Sequence, residues 1–199
     1  MSLLVLAPMH VEVAAVRGAP RVLRTGMGPA HARVAAARAQ AIDAAAVAVA
    51  GICAGVAPEL ATGEVVCPTE VRTGDRTIAV PESQALAAIL RTGGFRVNLG
   101  PMLSTDHLVG AAERESLRET GVIALDMETA WLADGAAGRP FAVVRVVADA
   151  AGRHLFDPRI LVDAARSLAV LRRTVPALES WAATRAIADE PEADRLAVV

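Results

Sequence analysis

Four acidic residues stand where predicted strands and helices meet, and carboxylates in such positions can bind sugars or transfer protons. Asp126 and Glu128 follow a short apolar run and open a predicted helix. Asp126 fits an N-cap, whereas Glu128 fits either an interaction with the helix dipole or a double hydrogen bond to a sugar diol. Asp149 follows an apolar strand and is either a loop acid or a general acid at the sheet edge. Glu12 lies in an apolar stretch, and taken alone it would be a solvated helix residue.

Two segments of small residues could bring backbone groups close to a ligand. Residues 25–32 read Thr-Gly-Met-Gly-Pro-Ala-His-Ala between a predicted strand and a predicted helix, a turn that favours polar or anionic ligand atoms. It lacks the third glycine of a dinucleotide-binding motif, and a purely structural turn is an equal alternative. Residues 50–56 read Ala-Gly-Ile-Cys-Ala-Gly-Val at the end of a buried strand. They fit either the floor of a ligand site or close strand–helix packing.

The elements that position these residues alternate between short apolar runs and longer segments with helical periodicity. Apolar runs without alternation predict strands buried on both faces, and hence a mixed or parallel sheet covered by helices on both sides. We predict one domain over residues 1–183, followed by a charged tail over residues 184–199. The predicted strands are 3–7, 22–25, 46–50, 64–68, 77–80, 96–103, 122–124 and 141–147, and the predicted helices are 11–17, 29–42, 82–92, 111–119, 127–135 and 158–183.

Composition excludes several classes of function. The chain has 199 residues and a net charge of −2, which gives no electrostatic basis for binding nucleic acid. All 20 basic residues are Arg, so a Schiff-base lysine and a Walker-A lysine are both excluded. Cys53 and Cys67 cannot form a disulfide framework, and the four histidines lack metal-ligand spacing. The apolar runs are too short for a signal or spanning segment, so a cytoplasmic protein is predicted.

Taken in order, these segments resemble the nucleoside phosphorylase/nucleosidase superfamily, in particular the methylthioadenosine/S-adenosylhomocysteine nucleosidases. The resemblance extends from about Leu3 to Trp181. Its most specific parts are Leu-Asp-Met-Glu-Thr-Ala at 125–130 and Phe-Ala-Val-Val-Arg-Val-Val-Ala-Asp at 141–149. The turn at 26–28, the small residues at 51–55 and Ser-Thr-Asp-His-Leu-Val at 104–109 also lie where the family has counterparts. The resemblance implies an α/β fold in three layers, α/β/α, with a central mixed sheet.

The resemblance also implies cleavage of an N-glycosidic bond, in which positive charge develops on the sugar and negative charge on the departing purine. Asp149 matches the general acid at purine N7, and Glu12 matches the residue that orients or deprotonates the attacking water. Glu128 and the Met127 backbone match the ligands of the ribose hydroxyls. The remaining implied substrate contacts hold the base or its surroundings and are Leu108, Val109, Cys53, Ala54 and Gly28. No cofactor and no metal are implied.

An Asp rather than an Asn at position 149 favours adenine, because the same carboxyl can accept a hydrogen bond from the 6-amino group. It argues against a 6-oxo substrate of the futalosine type. The chain departs from the family at Ala148, where many relatives carry Ser, and at Cys53-Ala54, where they carry Ala-Gly or Gly-Gly. Residues 71–78 lack a loop that closes the 5′ side of the sugar. The chain is in this respect similar to a hopanoid-associated branch, thought to remove adenine from adenosylhopane.

Three alternatives stay open from the sequence. Phosphate could replace water as the nucleophile, with Arg24 as its ligand, although residues 8–12 hold no Gly-Asp-Pro phosphate turn and Glu12 would repel phosphate. A nucleoside-binding protein without catalysis is disfavoured because Glu12, Glu128 and Asp149 occur together. A dinucleotide-dependent enzyme is disfavoured by the incomplete glycine motif. The apolar composition and the family's habit predict a homo-oligomer, with a dimer favoured.

Overall fold

The computed structural model of the protein describes residues 2–74, 76–150 and 159–188. Strands and helices alternate along the chain, as the periodicity predicts. The strands are β1 (Leu3–Ala7), β2 (Arg21–Arg24), β3 (Ala46–Gly55), β4 (Val65–Thr73), β5 (Arg76–Ala79), β6 (Val97–Ser104), β7 (Ala124–Asp126) and β8 (Phe141–Asp149). The helices are α1 (His10–Val16), α2 (Pro29–Gln40), α3 (Ser83–Thr92), α4 (Ala111–Arg118), α5 (Thr129–Leu132), α6 (Arg159–Arg173) and α7 (Val175–Ala188), with a 3₁₀ turn at Ala133–Ala136.

The strands form one mixed sheet with the order β2-β1-β3-β7-β6-β4-β5. Strand β8 pairs in parallel with β3 and antiparallel with β4. Since β4 also pairs with β6, β6 with β7, and β7 with β3, these strands and β8 close into a ring. Strands β1 and β2 extend the sheet from β3 on one side, and β5 extends it from β4.

The two faces of the sheet bury separate hydrophobic clusters, because successive side chains of a strand point to opposite faces. Leu4 and Leu6 of β1 belong to a cluster shared with α2, α5 and the 3₁₀ turn. Leu3 and Val5 belong to a second cluster, shared with α1, α3, α6 and α7, in which Trp181 is fully buried. Helices therefore cover both faces, and the predicted three-layer α/β/α arrangement is confirmed.

Several element boundaries differ from the predicted ones. Strand β3 continues to Gly55 and β8 to Asp149, so the small-residue segment and the acid both lie within strands. The helix predicted from residue 127 begins at Thr129 and ends in the 3₁₀ turn. The helix predicted over 158–183 is two helices, α6 and α7, since Pro176 lacks the N–H that would continue the first.

The predicted tail over 184–199 begins too early, because α7 continues to Ala188. Residues 189–199 lie outside the described residues, as does residue 158, the predicted start of the long helix. The short segment 71–78 is a hairpin of β4 and β5 in which Val71 pairs with Ile78. Among the helices of the described ranges, none is long and apolar enough to cross a membrane.

Candidate active site

A cavity of about 240 Å³ lies where several strands end, with the β7 and β8 carboxylates in its wall. Strands β3 and β8 are parallel and end together, and the short β7 pairs antiparallel with the last residues of β3, so the three strands meet at the sheet edge where α/β proteins place ligands. The segments that follow β1, β2 and β6 enclose it, together with the last residues of β3, β7 and β8 and one residue of α4.

Seven of the nine predicted site residues line this cavity: Glu12, Ala54, Leu108, Val109, Met127, Glu128 and Asp149. Gly28 does not, but its backbone N–H donates to Glu128 Oε1 at 2.9 Å, so it holds a lining residue in place. Cys53 is also not a lining residue. Its neighbours Ile52 and Ala54 point into the cavity, so strand alternation turns the Cys53 side chain into the core behind them. Burial raises the pKa of this thiol to about 12, which makes it inert.

Glu12 is a buried carboxylate, with only 1% of the residue exposed, and is not the solvated helix residue it would be if it stood alone. The Met9 backbone N–H donates to its Oε2 at 2.7 Å, and the Ile52 N–H donates to its Oε1 at 2.8 Å. Two backbone donors therefore fix the carboxylate against the end of β3. Loss of solvent raises the pKa of Glu12 above its usual 4.5, against the opposing charge of Arg145.

Arg145 is a fully buried cation among the carboxylates of Glu12, Asp126 and Glu128, and its own side chain does not line the cavity. Its guanidinium forms an ion pair with Asp126 and lies 3.9 Å from Glu12 Oε1 and 3.8 Å from Glu128 Oε2. It also donates to the Thr129 hydroxyl at 2.8 Å. One cation thus holds together three carboxylates from two separate segments, helix α1 and the junction between β7 and α5, and it fixes their relative positions.

Asp126 connects this cluster to the start of α5. Its Oδ2 accepts the Thr129 backbone N–H at 3.0 Å, the kind of bond expected of a capping acid, and its Oδ1 accepts the Ser104 hydroxyl. Ser104 in turn accepts the Ala130 N–H at 3.0 Å. The N-cap position itself is Glu128, because α5 begins at Thr129, so the prediction of Asp126 as the N-cap is wrong. Asp126 still accepts the first helical N–H, and the same carboxylate binds the buried Arg145.

Glu128 faces the cavity beside Met127 and is anchored by the Gly28 backbone N–H. Loss of solvent raises its pKa above 4.5, while Arg145 opposes that shift. One carboxylate oxygen is bound to Gly28 and the other lies toward Arg145, so the orientation of the group is fixed before any ligand binds.

Asp149 occupies the last position of β8, and Arg114 of α4 lies against it. Arg114 Nη2 donates to Asp149 Oδ2 at 2.8 Å, and the Arg114 side chain is 9% exposed. The apolar part of the cavity wall includes Val109, which is buried, and Leu108, which is 73% exposed.

His107 precedes this wall and lies between two acids. Its Nδ1 is 2.8 Å from Asp106 Oδ1 and its Nε2 is 2.9 Å from Glu113 Oε1. These hydrogen bonds raise the pKa of His107, and the bond from His107 lowers the pKa of Asp106. The pair of contacts ties the segment before Leu108 to the first turn of α4.

Because folding raises the pKa values of Glu12 and Glu128, their contribution to stability falls as the pH rises. A carboxyl whose pKa is raised by folding stabilises the protein fully below its unfolded value of about 4.5, and that contribution is lost as the pH rises through the folded pKa. We expect the free energy of unfolding to fall less steeply with pH above about 4.5 in Glu12→Gln than in the wild type. Urea unfolding at several pH values measures this. The exposed Glu119→Gln is the matched control, and a slope unchanged in Glu12→Gln would contradict the assignment.

Gly51 is required because the cluster lies against its backbone. A Cβ at this position would overlap Arg145 Nη1 and Glu12 Oε1, and it would lie 3.1 Å from Glu12 Cδ. We expect Gly51→Ala to lower the free energy of unfolding by about 1–3 kcal/mol, the usual cost of overpacking a core. Thermal unfolding tests this against Gly110→Ala, where the added methyl meets open space. Equal stability of the two variants would show that the Arg145 and Glu12 side chains can shift to make room for the added methyl group.

The chain belongs to the phosphorylase superfamily, whose family model matches residues 10–175. This range contains the cavity-lining acids Glu12, Glu128 and Asp149, and also Arg145. No curated protein sequence matches the chain significantly.

Solved structures of nucleosidases share the fold. A methylthioadenosine/S-adenosylhomocysteine nucleosidase from Neisseria meningitidis, bound to methylthio-immucillin-A, is 20% identical, with a TM-score of 0.74 over 92% of this chain and 98% of the other. The Campylobacter jejuni nucleosidase of the same name is 15% identical, with a TM-score of 0.77 over 89% and 98%. The futalosine hydrolase of Helicobacter pylori is 16% identical, with a TM-score of 0.73 over 92% and 97%.

Two charged residues of the site were missed by sequence reasoning. The sequence does indicate a role for Arg145, since a single cation in the otherwise apolar strand 141–147 must have a buried partner. Nothing in the sequence indicates a role for Arg114, because Ala-Ala-Glu-Arg-Glu-Ser-Leu-Arg is typical of a solvent-exposed helix. Only the packing of α4 against the end of β8 brings Arg114 to Asp149.

Proposed function

We propose that the protein is an N-ribosyl hydrolase that releases adenine from a 5′-substituted adenosine. The observation that carries this proposal is the convergence of Glu12, Glu128 and Asp149 on one cavity with an apolar wall. A purine fits between apolar side chains, and the polar atoms of a nucleoside need few, well-placed partners at either end. Membership of the phosphorylase superfamily supports the reaction class.

At the sugar end, Glu128 accepts hydrogen bonds from the ribose hydroxyls beside Met127. Glu12 orients a water molecule and takes its proton as the water oxygen bonds to C1′. A carboxylate whose pKa burial has raised is a better base near neutral pH than an exposed one. The carboxylates also stabilise the positive charge that the sugar acquires as the bond to N9 breaks.

At the base end, Asp149 gives its proton to purine N7, so that the base leaves as neutral adenine. The two protons then balance, because one passes from water to Glu12 and the other from Asp149 to the purine. Both return through solvent. The same Asp149 carboxyl accepts a hydrogen bond from the 6-amino group, which favours adenine over a 6-oxo base.

Water rather than phosphate is the proposed nucleophile. Phosphate binding needs cationic or amide donors near C1′. Within the described part of the chain, the only cation beside Glu12 is Arg145, which is enclosed by three carboxylates. Arg24, the candidate phosphate ligand, is exposed and does not line the cavity.

We further propose that the 5′ substituent of the substrate is bulky and apolar. The 71–78 hairpin is turned toward the 3₁₀ turn, where Arg76 pairs with Asp134 at 2.8 Å. No described residue of that hairpin lines the cavity. Met27 and Leu108 line it while remaining 59% and 73% exposed, so both offer apolar surface to a substituent that extends out of the site.

The experiment is adenine release from methylthioadenosine, S-adenosylhomocysteine, adenosine and an adenosine with a long alkyl 5′ substituent, each with and without phosphate. Chromatography identifies the sugar product as the free sugar, which keeps any 5-substituent, or as its 1-phosphate. We expect phosphate-independent release, fastest from the alkyl compound. A sugar 1-phosphate would establish a phosphorylase and remove the role of Glu12. No release from any compound would favour a nucleoside-binding protein.

A further inference from the structure

Arg114 is a buried cation that its surroundings only partly satisfy. Nη2 is bonded to Asp149, but Nε and Nη1 are buried and have no hydrogen-bond partner in the described ranges. Asp149 Oδ1 is likewise buried and unpartnered there. Proteins leave few such atoms unpaired, because each loses its hydration without compensation. Here three of them belong to one ion pair, and both of its residues line the cavity.

The two charged groups at the cavity also differ in their balance of charge. Glu12, Asp126 and Glu128 share the single cation Arg145, so carboxylates predominate in that group. Arg114 and Asp149 are paired one to one. Heterolysis of a glycosidic bond makes the sugar positive and the departing base negative, so a cation beside the proposed acid suits the leaving group.

We propose that Arg114 is a positioning residue for the leaving group, holding Asp149 by Oδ2 and compensating the negative charge that develops there during cleavage. This inference rests on the proposed hydrolase function and adds a residue to it. As the C1′–N9 bond breaks, its electron pair goes to the purine, and the Asp149 proton moves from Oδ1 to N7. The purine and Asp149 together gain one negative charge wherever the proton lies, and Arg114 is adjacent throughout.

The two carboxyl oxygens of Asp149 therefore have different roles. Oδ2 remains bonded to Arg114, which fixes the carboxyl plane, and Oδ1 is left to face the base. A lysine at position 114 would keep the charge but lose the planar fork of donors. A methionine would keep much of the side-chain volume but lose both the charge and the hydrogen-bond donors.

The test compares the wild type, Arg114→Met and Arg114→Lys on two substrates. One is the 5′-substituted adenosine that the wild type cleaves best. The other is 4-nitrophenyl riboside, whose phenolate leaves without a proton. We expect Arg114→Met to lower kcat for adenine release by about 100-fold, the usual effect of removing one charge-stabilising donor, with KM little changed. On the nitrophenyl substrate kcat should fall by less than about 5-fold, because 4-nitrophenolate needs no proton and spreads its negative charge onto a distant nitro group. Arg114→Lys should recover part of the adenine loss.

Arg118→Met is the matched control, because Arg118 lies one turn further along α4 and pairs with Glu115 outside the cavity. Equal losses of Arg114→Met on both substrates, or no loss on either, would overturn the proposal while the hydrolase function stands. Cleavage of neither substrate by the wild type would overturn the function and this inference together. A loss confined to adenine release supports both.

Discussion

Replacing Arg145 by methionine is expected to lower the free energy of unfolding by about 3–5 kcal/mol, the cost of removing one partner from a buried ion cluster. Small domains are stable by only about 5–15 kcal/mol, so this is a large part of the total. Methionine fills much of the space, and the loss is therefore one of charge. Glu12, Asp126 and Glu128 would remain buried without a cation.

The charge origin of this loss can be separated from packing. Asp126 forms the shortest ion pair with Arg145, so Asp126→Asn added to Arg145→Met removes one unpaired charge and keeps an oxygen for the Thr129 N–H. We expect the double variant to be more stable than Arg145→Met alone, because removing both partners costs less than removing one. A double variant no more stable than the single one would indicate a packing defect.

Urea unfolding and the melting temperature measure both variants. Arg96→Met is the matched control, because the Arg96 side chain is 86% exposed and its contact with Glu64 is 3.5 Å long. A surface pair of this kind contributes about 0–1 kcal/mol. If Arg145→Met were less stable than the wild type by only about 0–1 kcal/mol, the view that one buried cation holds the three carboxylates together would be contradicted.

The convergence of the site could be predicted only in part from the sequence. Hydrophobic periodicity predicts the strands and helices. An acid directly after an apolar strand, such as Asp149, can be recognised as a candidate site residue from the sequence. The ring of strands could not be predicted. It depends on the antiparallel pairing of Val65 and Val66 with β8, a contact between distant segments that no local pattern marks.

Cys53 and Arg114 illustrate two different reasons for error. The family resemblance implies that Cys53 contacts the substrate, whereas strand alternation puts Ile52 and Ala54 on the cavity side and Cys53 behind them. Extending the strand to Gly55 would have shown this from the sequence. Arg114 lies in a helix whose charged residues read as solvated, and its burial arises only from tertiary packing.

Asp149→Asn is expected to lower kcat for adenine release by about 10²–10⁴-fold, the usual contribution of general acid catalysis. The amide has nearly the same shape as the carboxyl, and its oxygen can still accept the Arg114 N–H, so folding should be preserved. It has no acidic proton to give to N7. Its N–H donors suit a 6-oxo group, so the ratio of adenosine to inosine cleavage should fall.

The choice of leaving group separates the roles of Asp149 and Glu12, because only Asp149 is proposed to act on the departing purine. Asp149→Asn should retain most of the wild-type rate on 4-nitrophenyl riboside, whose phenolate needs no proton. Glu12→Gln should lose activity on both substrates, since water must be activated in either case. Asp43→Asn, an exposed substitution far from the cavity lining, is the control for the Asn change. Near wild-type adenine release by Asp149→Asn would refute the general-acid role, and equal losses on both substrates would make Asp149 a structural residue of the Arg114 ion pair.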